Sequence, residues 1–277
     1  MLAFMTIPMQ APAKGRRHYR TIWISDLHLG TRGCQAEALT QFLKQHSCDH
    51  LYLVGDIIDG WRLRKSAYWP QSHVNVIRRI LTLAKRGTEV TYVIGNHDEF
   101  LRSYDAASYG NIHLTNEAQH LTASGRRLLV IHGDQFDAVV RCHRWLALLG
   151  DAAYEILLVL NRWYNAMRRR LGYGYWSLSA YLKQKVKRAV SYIGEFEQAL
   201  ARECRQRGFD GVVCGHIHHP EIRDMNGVGY LNCGDWVESC SALVEEADGS
   251  IRVIRWLPEY ENNAAWNAHA ECENEPV

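Results

Sequence analysis

Paired cysteines are missing from this chain of 277 residues: its eight Cys, at 34, 48, 142, 204, 214, 233, 240 and 272, form no CxxC pair and keep no regular spacing. That excludes a disulfide framework and a zinc knuckle, and several of the thiols lie in apolar runs where they pack as small hydrophobes. The chain reads as made for a reducing compartment. Long apolar runs are missing too. No window approaches the length of continuous apolar sequence that a membrane-spanning helix needs, and the nearest, LALLGDAAYEILLVL at 146–160, carries Asp151 and Glu155 and reads as an amphipathic helix. A secretory signal is absent by order as well as by content. The opening MLAFMTIPMQAPAKGRRHYR has no basic start, is interrupted by Pro8 and Pro12, and puts its Lys/Arg cluster after the apolar stretch. It reads as a disordered leader. There is no internal repeat.

What is present is a globular composition, 47% hydrophobic and 22% charged, long enough for one large domain with a substantial core. The net charge of +2 is unevenly spread. Residues 141–207 hold thirteen Lys/Arg against five Asp/Glu, a balance of +8, which leaves −6 for the rest. Aromatics interleave with that run: Trp163, Tyr164, Tyr173, Tyr175, Trp176 and Tyr181 stand among Arg168, Arg169, Arg170, Lys183, Lys185, Lys187 and Arg188. A solvated set of helix faces accounts for such a run about as often as a ligand does; the aromatics tilt it toward an anionic ligand or a membrane surface.

Short β-branched runs alternate with helical spacing. TIWIS (21–25), LYLV (51–54), VTYVI (90–94), LLVI (128–131) and GVVC (211–214) read as buried strands, each followed at once by polar residues. Apolar positions over 34–46 and 70–86 recur at helical period, giving a β-α-β-α order and a largely parallel centre. Three hairpins are expected at 123–126, at Asn226-Gly227 and at Asp248-Gly249. The fold class is therefore α/β, with antiparallel additions at the edges. Its core is expected over 18–137 and 208–258, divided by a helical cap insertion at 138–207. The tail 259–277, with five Glu and no Lys or Arg, reads as disordered.

Each strand end carries residues that bind metals: Asp26-x-His28, Asp56, Asn96-His97-Asp98, His132 and His216-x-His218. Carboxylate, amide and imidazole donors of this kind suit Mn, Fe, Zn or Co. A carboxylate such as Asp56 has two oxygens with which to bridge a pair of ions, and a pair of ions makes its own nucleophile from water. Each motif alone is weak, since a DxH at a strand end or a GNHD turn serves ordinary loop chemistry. Their concurrence in order, each after an expected strand, points to a two-metal phosphoesterase.

The runs SDLHLG, GDIIDGW, GNHD, HGD and GHIHHP together resemble the ordered motif set of the calcineurin-like metallophosphoesterase superfamily over residues 20–257. The resemblance implies a four-layer α-β-β-α sandwich, one ion on Asp26, His28, Asp56 and His218, and a second on Asp56, Asn96, His132 and His216. It makes His97 the residue that contacts a phosphate oxygen or protonates the leaving group, with Asp98 orienting it; Asn96 and His97 would both touch substrate. Manganese is the expected metal. The cap and the stretch NCGDWVESCSALVE look similar to the UDP-2,3-diacylglucosamine diphosphatase group of lipid A synthesis, which implies a nucleotide diphosphate lipid as partner and a cytoplasmic enzyme peripheral to the inner face of the membrane. In the cap, Trp163, Trp176 and Arg168 to Arg170 would then hold lipid or base. One departure stands out: that group reads GNRD where this chain reads GNHD, which leaves a paralogue with another substrate open. The alternatives are a phosphodiesterase or nuclease on the same fold, nucleic acid being the less expected partner, and a scaffold that has lost its chemistry. Oligomeric state is not legible.

Overall fold

The computed structural model describes residues 16–138, 193–194 and 196–256. The expected leader up to residue 15, most of the cap, including Trp163, Arg168, Arg169, Arg170 and Trp176, and the tail lie outside the described residues. Two compact units divide the chain: Met1–Asp134 with Glu203–Val277, and Gln135–Arg202. In the second, the described residues 196–202 are helical. Among the described residues no helix is long and apolar enough to cross a membrane.

Two mixed sheets make up the first unit. The larger has seven strands in the order β12 (Ile251–Arg255), β11 (Ser241–Glu245), β1 (Arg17–Ile24), β2 (His46–Val54), β3 (Glu89–Val93), β5 (Ile112–Thr115) and β4 (Ser108–Tyr109). The smaller orders β6 (Ala118–Leu121), β7 (Arg127–Val130), β8 (Gly211–Cys214), β10 (Gly229–Asn232) and β9 (Glu221–Asp224). β1, β2, β3 and β5 run parallel, as do β7, β8 and β10. The three expected hairpins are the antiparallel pairs β6–β7, β9–β10 and β11–β12. At the second, Asn226 and Gly227 both take positive φ, 58° and 83°, which suits the right-handed twist of the strands they join.

The central strands read as continuous apolar runs because both of their faces are covered. Trp23, Tyr52, Val54, Val93, Leu128, Val130, Val213, Leu231 and Leu243 fill the space between the two sheets. Alternate residues, Ile22, Ile24, Leu51, Leu53 and Val90, face outward onto α1 (Ala36–Gln45) and α3 (Gln71–Lys85). In α1 the buried set Ala36, Leu39, Phe42 and Leu43 keeps helical spacing. α3 starts after Pro70 and is stopped just short of Gly87, whose φ of 102° lets Thr88 N–H turn back to Leu83 O at 3.1 Å. The described layers are thus helix, sheet and sheet. A buried polar knot also ties the sheets together: the Glu245 carboxylate accepts from Arg20, Thr21 and the Ala123 N–H at 2.7–2.8 Å and lies 2.8 Å from His120 Nε2.

Candidate metal centre and active site

All the motif residues follow the carboxyl ends of parallel strands: Asp26 and His28 after β1, Asp56 after β2, Asn96 to Asp98 after β3, His132 after β7, His216 and His218 after β8. The backbone there is strained. Asp26, His28, Asp56, His216 and His218 all have φ between 49° and 70°, five of the eight non-glycine residues in the left-handed region among those described. Non-glycine residues keep such angles only where the surroundings over-determine them, as sites of function do. Loop-to-loop hydrogen bonds hold them: Asp26 N–H to Gly55 O at 3.0 Å, His28 N–H to Asp56 O at 2.9 Å, and Trp236 N–H to Asp26 O at 3.1 Å. Gly55 and Gly215 leave room for the ligands themselves, since a Cβ on the first would overlap the His132 ring and on the second the Asp26 carboxylate.

Three groups of donors result among the described residues, of which His28, Asp59 and His97 share His28 with the first of the other two. Asp26, His28 and His218 form one, with Asp26 Oδ1 3.2 Å from His218 Nε2 and 3.9 Å from His28 Nε2. Asp56, His132 and His216 form the other, with Asp56 Oδ1 3.4 Å from His132 Nε2. The Asp56 carboxylate divides between them, for its Oδ2 is 3.9 Å from His28 Nε2. The donor set fits divalent ions on its own terms. The Asn96 amide oxygen and nitrogen are buried and have no hydrogen-bond partner among the described residues, an arrangement that costs free energy unless something else is bound there.

Charge follows the same layout. Burial opposes ionisation of Asp56, yet the imidazoles of His132, His97 and His28 hold its carboxyl far below the usual range. For Asp26, burial is outweighed by His218, which brings it down to about 2. In return, and against their own burial, His132 is pushed up to about 10 by Asp56 and His218 up to about 9 by Asp26.

Two findings depart from the sequence reading. Asp98 does not touch the His97 ring. Its carboxylate accepts from Ile57 N–H at 3.0 Å, Ile58 N–H at 2.7 Å and Tyr92 Oη at 2.8 Å, so it braces the backbone just after Asp56. The orienting contact comes instead from Asp59, which sequence reasoning left among the loop residues. Asp59 Oδ2 lies 3.1 Å from His97 Nδ1 and 3.4 Å from His28 Nδ1, while Oδ1 accepts from Arg62 N–H at 2.8 Å and caps α2 (Gly60–Leu63). Burial raises the Asp59 carboxyl, but its bonds to His28 and His97 carry it well below the usual range. The remaining signal was its place in GDIIDGW. His97 also lies 3.7 Å from Asp56 Oδ2 through Nε2, donates its backbone N–H to Asp56 Oδ1 at 2.8 Å, and has the Trp61 ring against it at 4.2 Å. The expected cap contacts, Trp163, Trp176 and Arg168 to Arg170, lie outside the described residues.

Two facing sheets with paired donor groups at their strand ends are the architecture of a binuclear metallohydrolase. The model of the calcineurin-like phosphoesterases matches residues 19–220, and the chain belongs to that family and is a metal-dependent hydrolase. A Neisseria gonorrhoeae protein named UDP-2,3-diacylglucosamine hydrolase is 28% identical over 247 residues, covering 83% of this chain and 96% of its own length. Its namesake from Aeromonas salmonicida is 26% identical over 231 residues, 81% of this chain and 89% of that one. The structure of vacuolar protein sorting 29 from Cryptosporidium parvum aligns over 84% of this chain and 94% of its own, at 14% identity and a TM-score of 0.43.

Proposed function

We propose that the chain is a diphosphatase dependent on two divalent ions, which cleaves a nucleotide-linked lipid, UDP-2,3-diacylglucosamine, to UMP and 2,3-diacylglucosamine 1-phosphate. The observation that carries the metal part is the division of Asp56 between two donor groups, one completed by Asp26, His28 and His218 and the other by His132 and His216, each drawing on both sheets. Asp26, His28, Asp56 and His218 would hold one ion, and Asp56, Asn96, His132 and His216 the other. Manganese is the first choice, and iron, zinc or cobalt suit the same donors. Such a pair supplies a lowered pKa for water and neutralises phosphoryl oxygens.

The chain's own groups do the rest. His97, held at Nδ1 by Asp59 and covered by Trp61, presents Nε2 on the Asp56 side of the centre. From there it serves as the donor that contacts a phosphoryl oxygen or gives a proton to the leaving phosphate as the P–O–P bridge breaks. Asn96 offers its free amide to the same group. In the cap, Arg168, Arg169, Arg170, Trp163 and Trp176 are proposed to hold the diphosphate, the base or the acyl chains. The substrate rests on the names of the relatives. Replacement of Arg by His at position 97 favours keeping a phosphodiesterase of other specificity as the second reading.

The test is UMP release from UDP-2,3-diacylglucosamine by manganese-loaded protein, run beside a simple aryl phosphodiester. Turnover of the lipid is expected. His97→Ala should cut it by about 10² to 10⁴ with metal content unchanged, and His97→Arg should retain or raise it. Hydrolysis of the simple ester alone would move the chain to the second reading.

A further inference from the structure

From Gly60 through Thr88 the chain carries seven Lys/Arg and no Asp or Glu. The first three, Arg62, Arg64 and Lys65, stand on and just after α2, the short helix capped by Asp59, and all three are exposed. A fourth exposed cation, Arg32, joins them from the loop after His28, where its guanidinium stacks over Tyr68 at 4.6 Å. The two loops are packed together: Gly30 lies against Leu63, and the Gly30 N–H donates to His73 Nδ1 at 3.0 Å. Trp69 follows, 37% exposed, with its ring edge on His73. Among the described residues, no carboxylate lies within ion-pairing distance of any of these four cations. The same loops enter the metal centre at their other ends, through His28, Asp59 and the Trp61 ring on His97.

We infer that Arg32, Arg62, Arg64 and Lys65, with Trp69, form a docking surface for an anionic lipid bilayer beside the catalytic loops. Unbalanced cations on long, exposed stems attract a plane of phosphate headgroups, each contributing independently of detailed geometry. The exposed indole of Trp69, four residues after Lys65, has the composition of an interfacial anchor, its apolar ring entering the headgroup boundary. A single bound phosphate would ask for donors converging on one point; these four are spread over two loops. The inference rests on the reading of a lipid-linked substrate for its purpose, since an enzyme that takes a diacylated molecule gains by presenting its centre to the bilayer that holds it. It locates membrane contact in the core, on residues separate from the cap.

The test needs no substrate. Full-length protein is sedimented with vesicles of phosphatidylcholine alone and of phosphatidylcholine mixed with phosphatidylglycerol, at low and at physiological ionic strength. Sedimentation with the mixed vesicles only, weakened by salt, is expected. Replacing Arg62, Arg64 and Lys65 together by Ala should weaken it by roughly 10²-fold, about fivefold for each charge, with an unchanged melting temperature. Trp69→Ala should weaken it by a similar factor at both ionic strengths, because burial of an apolar ring is not screened. Equal sedimentation of the triple variant and the parent, or release of the parent by inorganic phosphate at a concentration too low to act as added salt, would overturn the docking surface. Either result leaves the diphosphatase reading standing, because UMP release from detergent-dispersed substrate does not require a bilayer.

Discussion

Asp59 touches two imidazoles that arrive from different loops, His28 at 3.4 Å and His97 at 3.1 Å, with one carboxylate oxygen, and caps α2 with the other. A carboxylate on the far nitrogen of a metal-binding imidazole fixes its tautomer and raises its basicity. Asp59→Asn keeps the volume and the oxygen that caps Arg62 N–H but removes the negative charge from both rings. Turnover and metal affinity should each fall by about 10 to 100-fold, while the melting temperature stays within a few degrees of the parent. Parallel metal titrations and melting curves check this, and an unchanged metal affinity would confine Asp59 to capping. The sequence displays Asp59 in GDIIDGW yet hides its role, because its partners are 31 and 38 positions away and only the strand order brings them together. Asp98 misleads for the opposite reason. It is next to His97 in sequence, but after β3 the chain turns so that its carboxylate meets Ile57, Ile58 and Tyr92.

The elements that carry the site were legible where they are long or sharply bounded. β1, β2, β3, β7 and β8 show as β-branched runs that stop at polar residues, and the turns at 123–126, Asn226-Gly227 and Asp248-Gly249 show as hairpins. β4 and β5 leave no such mark, being two and four residues long at a sheet edge. Nor does periodicity say which strand belongs to which sheet, since LLVI and GVVC are buried on both faces just as LYLV is; the family resemblance implied two sheets, and the strand grouping came only with the structure. The loop after β10 is another case. NCGDW enters the sequence reading only as part of a family resemblance, and in the structure it ties the two sheets together at the metal centre. Asn232, fully buried, donates to Gly215 O at 2.9 Å and Tyr230 Oη at 3.0 Å and accepts from Gly234 N–H at 2.8 Å. Gly234 O in turn accepts from Ser25 Oγ at 2.7 Å, beside Asp26, and His216 N–H donates to Asp26 Oδ2 at 2.9 Å. Asn232→Ala should open this circuit and relax the strained backbone of the GHIHH loop. We expect the ion held by Asp26, His28 and His218 to bind about 10-fold or more weakly, measured as a split between two phases of a metal titration that coincide more closely in the parent.

At the scale of the whole molecule, Asp26, His28, Asp56 and Asn96 belong to the seven-stranded sheet and His132, His216 and His218 to the five-stranded one, so bound ions would cross-link the two halves of the sandwich. Binding to the folded state alone stabilises it by mass action, by about 4 kcal/mol at a thousandfold excess over the dissociation constant. Chelation should therefore lower the melting temperature, and the loss should depend on pH with a definite sign. With Asp56 and Asp26 facing them, His132 and His218 are pushed up to about 10 and about 9 against the opposing effect of burial. In chelator-treated protein both imidazoles hold their protons at neutral pH, and an incoming ion has to displace them. Each site should then bind up to about tenfold more tightly for each unit that the pH rises towards the folded pKa of its imidazole, and level off above it. Titration calorimetry in two buffers of different ionisation enthalpy should report protons released on metal binding, and the difference in melting temperature between loaded and stripped protein should widen from pH 6 towards pH 9. A gap that stays constant over that range, with no proton release, would mean that His132 and His218 are already neutral before metal arrives and that the carboxylates do not govern their charge.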